Sequence, residues 1–336
     1  MQSWQISSFG VDSLEFVERP TPQPGPGEVL VKVHAISFNY RDLLMVKGLY
    51  NPKLRLPRIP CSDGAGEVKA VGEGVTAWQP GDRVVGIFKQ NWLDGTLTAA
   101  KARGALGGDI DGMLADHAVV KQSGLVRLPE YLSYQEAATL PCAGVTAWNA
   151  LAAGNLKPGN TVLIQGTGGV SIFALQLARI YSARVMGISS SFKKLERAYE
   201  LGLDAGLNYK DEPEWDRWVL EQTGGEGVDL VVEVGGSGTL ARSLRALRIG
   251  GVVAQVGVLA GPGDSVSFPI ASVLHKQAHI QGIYVGSRKD FTDLNKAISL
   301  AFLRPIGENF PWSQAREVLK RMEDGSHFGK LVLTVD

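Results

Sequence analysis

The sequence predicts an α/β protein of two domains, one β-rich and barrel-like, the other a doubly wound parallel sheet with helices on both faces. Three observations predict it. The first third carries many short apolar stretches divided by Gly and Pro; from Thr161 strand and helix patterns alternate; and the first strand of that series runs into a glycine-rich turn. At roughly 100–200 residues per domain, 336 residues suffice for two cores.

In the first third, Glu28–Ser37 (EVLVKVHAIS) alternates Val29, Val31, Val33 and Ala35 with polar Lys32 and His34, the period of a half-buried strand. It follows TPQPGPG, which cannot continue a helix. Gly66–Gly72, Asp82–Phe88 and Ala115–Lys121 are further strands, and many short strands at close spacing suggest a barrel. The texture changes near Leu128. Ser133–Leu140 and Ala143–Ala153 read as helices, and from Thr161 the series runs TVLIQG, VSIFALQLARIYS, ARVMGIS, FKKLERAYELG, AGLNY, EWDRWVLEQTG, VDLVVEV, TLARSLRALRIG, GVVAQVG. Continuous runs such as LVVEV suit strands covered on both faces. After Gly261 the pattern loosens, and Lys330–Val335 is a last strand. The domains expected are 1–127 with 270–336, and 128–269.

Composition narrows the function. Thirty-four Lys+Arg balance 34 Asp+Glu, which argues against nucleic acid held by a broad basic field and against a polybasic membrane anchor. Forty-one glycines exceed the usual 7% or so and mark tight turns or close backbone approaches. Two cysteines, Cys61 and Cys142, exclude a disulfide framework and a four-cysteine metal site. The N-terminal MQSWQISSFGVDSLEF has neither a basic nor an apolar leader region, and no apolar run spans a bilayer. A cytoplasmic protein without a membrane partner is expected.

The sharpest local signal is VLIQGTGGVS, residues 162–171. An apolar strand enters Gly166, Gly168 and Gly169, and Val170 leads into an amphipathic helix. Glycines permit the turn and let backbone N–H groups at a helix N-terminus meet a pyrophosphate. Ser171 stands where a third glycine is usual, and it is small enough to substitute. The next strand ends at Ser189, where an NAD-preferring protein carries an acid for the ribose 2′-hydroxyl. Ser189, Ser190, Ser191, Lys193 and Lys194 instead offer hydroxyls and ammonium groups to a 2′-phosphate, so NADPH is the expected cofactor. The plainer reading of the same residues is a solvated helix start.

These residues converge on a family. The chain resembles the medium-chain dehydrogenase/reductases over almost its whole length, especially their zinc-free quinone oxidoreductase branch. GEVLVKVHAISFNYRD, KGLY, IPCSDGAGEVKAVGEGV, PGDRV, LPCAGVTAWNAL, the glycine-rich turn, VVEVGGSGTL, GGVVAQVG and HFGKLVL carry the resemblance. It implies a GroES-like catalytic domain, a Rossmann cofactor domain and a homodimer. Zinc-dependent relatives place Cys, His and Cys where this chain has Asn39, Ser62 and Cys142, so no metal is expected. Without a Lewis acid, hydride delivery to an electron-poor quinone or enone asks least of the protein.

By resemblance, Asn39 hydrogen-bonds the acceptor carbonyl and Tyr50 handles the proton, with Tyr40 packing against substrate. Locally, Asn39 also reads as a turn residue and Tyr50 as a cover of the barrel mouth. Asp42 reads as a residue that orders the loop, and Asp63 reads as a structural salt bridge. Thr146 matches a nicotinamide contact, and Lys194 and Tyr209 match residues around the 2′-phosphate. Gly235 and Gly257 stand at strand ends that line a cofactor. Lys330 is a candidate for the same cofactor cleft, and Trp92 a wall of the substrate site. The expected activity is NADPH-dependent reduction of a small-molecule quinone or α,β-unsaturated carbonyl compound. An alcohol dehydrogenase of the same superfamily and a non-catalytic NADPH-binding protein are the alternatives.

Overall fold

A computed structural model describes residues 1–257 and 270–335. By contacts the chain divides into two units, Met1–Val145 with Val285–Asp336, and Thr146–Tyr284.

The first unit opens with the antiparallel pair β1 (Gln2–Ile6) and β2 (Leu14–Glu18). The long strand β3 (Glu28–Phe38) then pairs antiparallel with both β4 (Asp63–Val71) and β6 (His117–Lys121). β5 (Arg83–Gly86) joins β4 to β7 (Leu125–Arg127). Alternation exposes Lys32 and half-buries His34, whereas from Ala35 onward every residue of β3 is buried. A helix, α1 (Tyr40–Val46), leaves the buried end of β3, and Asn39 is its N-cap residue.

Among the described residues the second unit holds six parallel strands: β8 (Thr161–Gln165), β9 (Arg184–Ser189), β10 (Ala205–Asn208), β11 (Val228–Glu233), β12 (Leu247–Gln255) and β13 (His279–Gly282). Their spatial order, β10-β9-β8-β11-β12-β13, reverses direction at β8 and β11. That is the doubly wound order, in which ligands meet the carboxyl ends of the strands beside the reversal. Leu163, Met186, Val231 and Val253 from four strands share one core with Val219 and Leu244 of the covering helices. Apolar residues on successive βα units therefore define this sheet, as the sequence periodicity requires.

The chain then returns to the first unit, where β14 (Gly307–Pro311) pairs with β15 (Lys330–Thr334), and β15 runs antiparallel to β3. Phe38, Leu106, Met113, Trp312 and Leu331 lie in its core.

The division between units falls later than the texture change near 128 on one side and later than 270 on the other. Two local causes are visible. Tyr131 Oη donates to the carbonyls of Ile298 and Leu303, Arg304 pairs with Glu136, and Tyr134 stacks on His34, so residues 131–136 stay with the first unit. At the other side β13 continues the parallel sheet, which keeps His279–Gly282 in the second unit. The loosened stretch after Gly261 and the boundary at 269 fall on residues 258–269, outside those described.

Candidate active site

The second unit presents a cradle at the end of β8. Gly166 has φ +67°, a left-handed conformation that favours glycine, and its N–H donates to Ile188 O at 2.7 Å. Gly168 is the N-cap of the helix Gly169–Ile180, with Gly169 and Val170 as its first residues. The N–H groups of such a first turn have no intrahelical acceptor. A Cβ on Gly166 or Gly168 would meet no atom within 4 Å. Gly168 has φ −77°, so neither backbone conformation nor internal packing demands glycine there. The open space and free N–H groups fit a phosphate pressed against the turn. Ser171 is buried, and its Oγ donates to Gln165 O at 2.6 Å, tying the helix to the strand where a third glycine would only pack.

One strand over, Ser189 ends β9 and is buried, and Tyr209 N–H donates to its carbonyl at 3.0 Å. The Ser189 hydroxyl accepts a long bond from Ser191 N–H at 3.4 Å. Ser190 is half-buried, and Lys194 lies in the first turn of the helix Phe192–Glu200. The fold thus brings Ser189, Ser190 and Tyr209 to one strand end, with Lys194 on the helix that leaves it.

Across the reversal, Glu233 is fully buried, a residue not singled out from the sequence. Its carboxylate accepts from Gly235 N–H (2.8 Å), Gly236 N–H (2.9 Å), Thr239 Oγ1 (2.5 Å) and Gln165 Nε2 (2.8 Å), and also from Ser243 Oγ. Its signal was an acid inside the apolar run VVEV. The network gives two glycines packing reasons. A Cβ on Gly235 would fall 2.3 Å from Thr239 Oγ1, and one on Gly257 2.2 Å from Val234 O. Gly235 also has its N–H engaged by Glu233. Thr146 is buried in the first turn of the helix Val145–Ala153.

The first unit holds a buried polar chain. Lys330 Nζ donates to Phe38 O and to Asn39 Oδ1, both at 2.5 Å. Asn39 Nδ2 makes a long 3.5 Å bond to Ser62 Oγ, which donates to Asp63 Oδ1 at 2.6 Å. Asp63 Oδ2 accepts Cys142 N–H at 3.1 Å from a single π-helical turn, Leu140–Gly144. Asp42 accepts Asn39 N–H at 2.9 Å and pairs with Arg41. Burial pushes the Asp63 carboxyl up to about 6, against the opposing pull of Lys330 and Ser62, and burial also raises Asp42. Lys330 is 3% exposed and engaged in this chain. Asp63 anchors hydrogen bonds from Ser62 and Cys142 in this chain.

Comparison with known proteins now decides the family. The model for the alcohol dehydrogenase GroES-like domain matches residues 25–130, and that for the zinc-binding dehydrogenase matches 169–300. A zinc-type alcohol dehydrogenase-like protein of Schizosaccharomyces pombe is 44% identical, covering 99% of this chain and 97% of that protein. The chain belongs to the medium-chain dehydrogenase/reductase superfamily. An acryloyl-coenzyme A reductase of Metallosphaera sedula is 30% identical over 95% of this chain and 96% of its own. A solved NAD-dependent alcohol dehydrogenase superposes with a TM-score of 0.90 at 32% identity, each chain fully covered. The quinone oxidoreductase of Coxiella burnetii gives 0.81 at 26%, covering 100% of this chain and 99% of that one.

Medium-chain dehydrogenase/reductases with zinc need N or S donors at the positions of Asn39, Ser62 and Cys142. The donors here do not fit. Asn39 Oδ1 faces the Lys330 ammonium, Ser62 gives its proton to Asp63, and burial raises the Cys142 thiol, disfavouring the thiolate that zinc binds. Among the described residues no three His, Cys, Asp or Glu group around a possible ion. As a member of this superfamily the protein is an oxidoreductase with a nicotinamide cofactor, for which the glycine cradle is suited.

Of the other sequence candidates, Tyr50 is 38% exposed, with the Arg41 guanidinium 5.7 Å from its ring centre. Tyr40 is half-buried against the core of the first unit. Trp92 directs its indole N–H to Gly95 O at 2.7 Å, which locks its own loop. No helix among the described residues is long and apolar enough to cross a membrane.

Proposed function

We propose that this protein is a zinc-independent reductase that passes hydride from NADPH to quinones or α,β-unsaturated carbonyl compounds. The observation that carries the reading is the Lys330–Asn39–Ser62–Asp63 chain, in which Asn39 and Ser62 stand at two of the metal-ligand positions with donors unsuited to zinc. The bound cofactor supplies the hydride. As hydride reaches the β-carbon of an enone, negative charge develops on the carbonyl oxygen, where the Asn39 amide N–H donates. A preplaced donor of this kind is worth about 10²–10³ in rate. The Tyr50 phenol delivers the proton that completes the saturated carbonyl product, with Tyr40 packing beside the acceptor. The Gly168–Val170 N–H groups hold the pyrophosphate, Thr146 steadies the nicotinamide, and Ser189, Ser190, Lys194 and Tyr209 receive the 2′-phosphate. The acryloyl-coenzyme A reductase and quinone oxidoreductase likenesses support an activated acceptor.

The protein acts as a cytoplasmic homodimer in this reading. Among the described residues β13 lies at one edge of the sheet, and all four of its residues are exposed. The preceding helix Ile270–Lys276 buries no residue, leaving Ile270 and Leu274 exposed. An edge of this kind invites pairing with a second copy.

Alcohol oxidation is the second reading, favoured by the alcohol dehydrogenase likenesses. Purified protein should oxidise NADPH with a quinone and an enone in the presence of a chelator, and oxidise NADH much more slowly. Equal use of NADH would overturn the cofactor assignment alone. Turnover confined to alcohols and abolished by the chelator would replace the proposal with the second reading.

A further inference from the structure

The buried chain has a direction that its two ends impose. Lys330 Nζ offers only donors, so the Asn39 atom 2.5 Å away is the carbonyl Oδ1. The other terminus of that amide is consequently the NH₂ group, which faces Ser62 Oγ. Ser62 receives that N–H because its own proton goes to Asp63 Oδ1 at 2.6 Å, and Cys142 N–H fixes the other carboxylate oxygen. Turning the Asn39 amide over would set NH₂ against the ammonium and a carbonyl against Ser62. Two donors would then face each other where both are buried. Phe38 O holds the ammonium at a second point, on the strand that leads straight into Asn39.

We propose that Lys330 is a positioning residue, which fixes the Asn39 side chain so that its amide nitrogen, not its carbonyl, meets the acceptor oxygen. In this role Lys330 acts through Asn39, the residue its ammonium holds. The inference rests on the reductase reading above and adds to it the residue that makes Asn39 a donor.

The test is a double-mutant cycle on NADPH-dependent enone reduction, using Asn39→Ala, Lys330→Met and the double variant, with NADPH affinity measured separately by fluorescence. Asn39→Ala is expected to lower kcat about 10²-fold. Lys330→Met should lower kcat about tenfold or more with NADPH affinity unchanged, and should cost nothing further once Asn39 is gone. Independent, multiplying losses would overturn the proposal, as would a loss of NADPH affinity without loss of kcat. Should Lys330→Met not fold, the wild-type Asn39 NH₂ resonance, identified by its absence in Asn39→Ala, decides. Proton contacts from it to the Ser62 side chain support the proposal, and contacts to the Lys330 ε-methylene overturn it. A wild-type enzyme inactive on every enone and quinone would instead overturn the reductase reading itself.

Discussion

At the scale of single residues, burial sets the chemistry of the first unit. Asp63 titrates near 6 when folded against 3.8 as a free carboxyl, chiefly because it is fully enclosed. Between those values the folded protein holds a proton that the unfolded chain has released. Stability contributed by this group therefore falls as pH rises from about 4 to about 6, by up to about 3 kcal/mol, and is level above that. Urea unfolding of wild type and Asp63→Asn across this range should show the wild type losing ground to the variant by that amount. A constant difference, or one of opposite sign, would contradict the assignment. Asn39, Ser62 and Cys142 could be aligned with the ligand positions of zinc-dependent relatives because each sits inside a local motif. The place of Lys330 was not legible, because its partner Asn39 is 291 residues away and only the β3–β15 pairing brings them together.

At the scale of elements, the glycines separate into two kinds that the sequence shows alike. Gly168 faces open space in a conformation alanine adopts, whereas Gly257 lies against Val234 O. Gly168→Ala should leave stability within about 0.5 kcal/mol of wild type and weaken NADPH binding at least about tenfold. Gly257→Ala should instead destabilise the fold by roughly 1–3 kcal/mol, read from its denaturant midpoint. A Gly168→Ala protein with normal cofactor affinity would remove the cradle argument. Strands β3, β8, β9 and β11 could be read from their patterns because each buries a run of side chains. Glu233 escaped notice because its meaning lies in donors drawn from β8 and from the helix Leu240–Ala246, which no local pattern displays.

At the scale of the whole molecule, a balanced charge of zero and two separate cores agree with the class that composition suggested. The doubly wound parallel sheet of the second unit was legible from alternating βα units, since right-handed crossovers leave few other arrangements. The limits of the units were less so, because residues 131–136 are held by ring stacking and by distant carbonyls rather than by composition. Light scattering should find a dimer, and Ile280→Lys on the exposed edge of β13 should convert it to a folded monomer. An unchanged dimer would place the interface elsewhere. The central claim is that this chain delivers hydride to a conjugated acceptor without zinc. Its most direct test gives chelator-treated protein an enone with NADPH deuterated at the transferring carbon, and locates the label in the product. Deuterium on the β-carbon of a saturated carbonyl compound, formed by metal-free protein, is the result expected. Deuterium on the carbonyl carbon of an alcohol, formed only after zinc is restored, would contradict it.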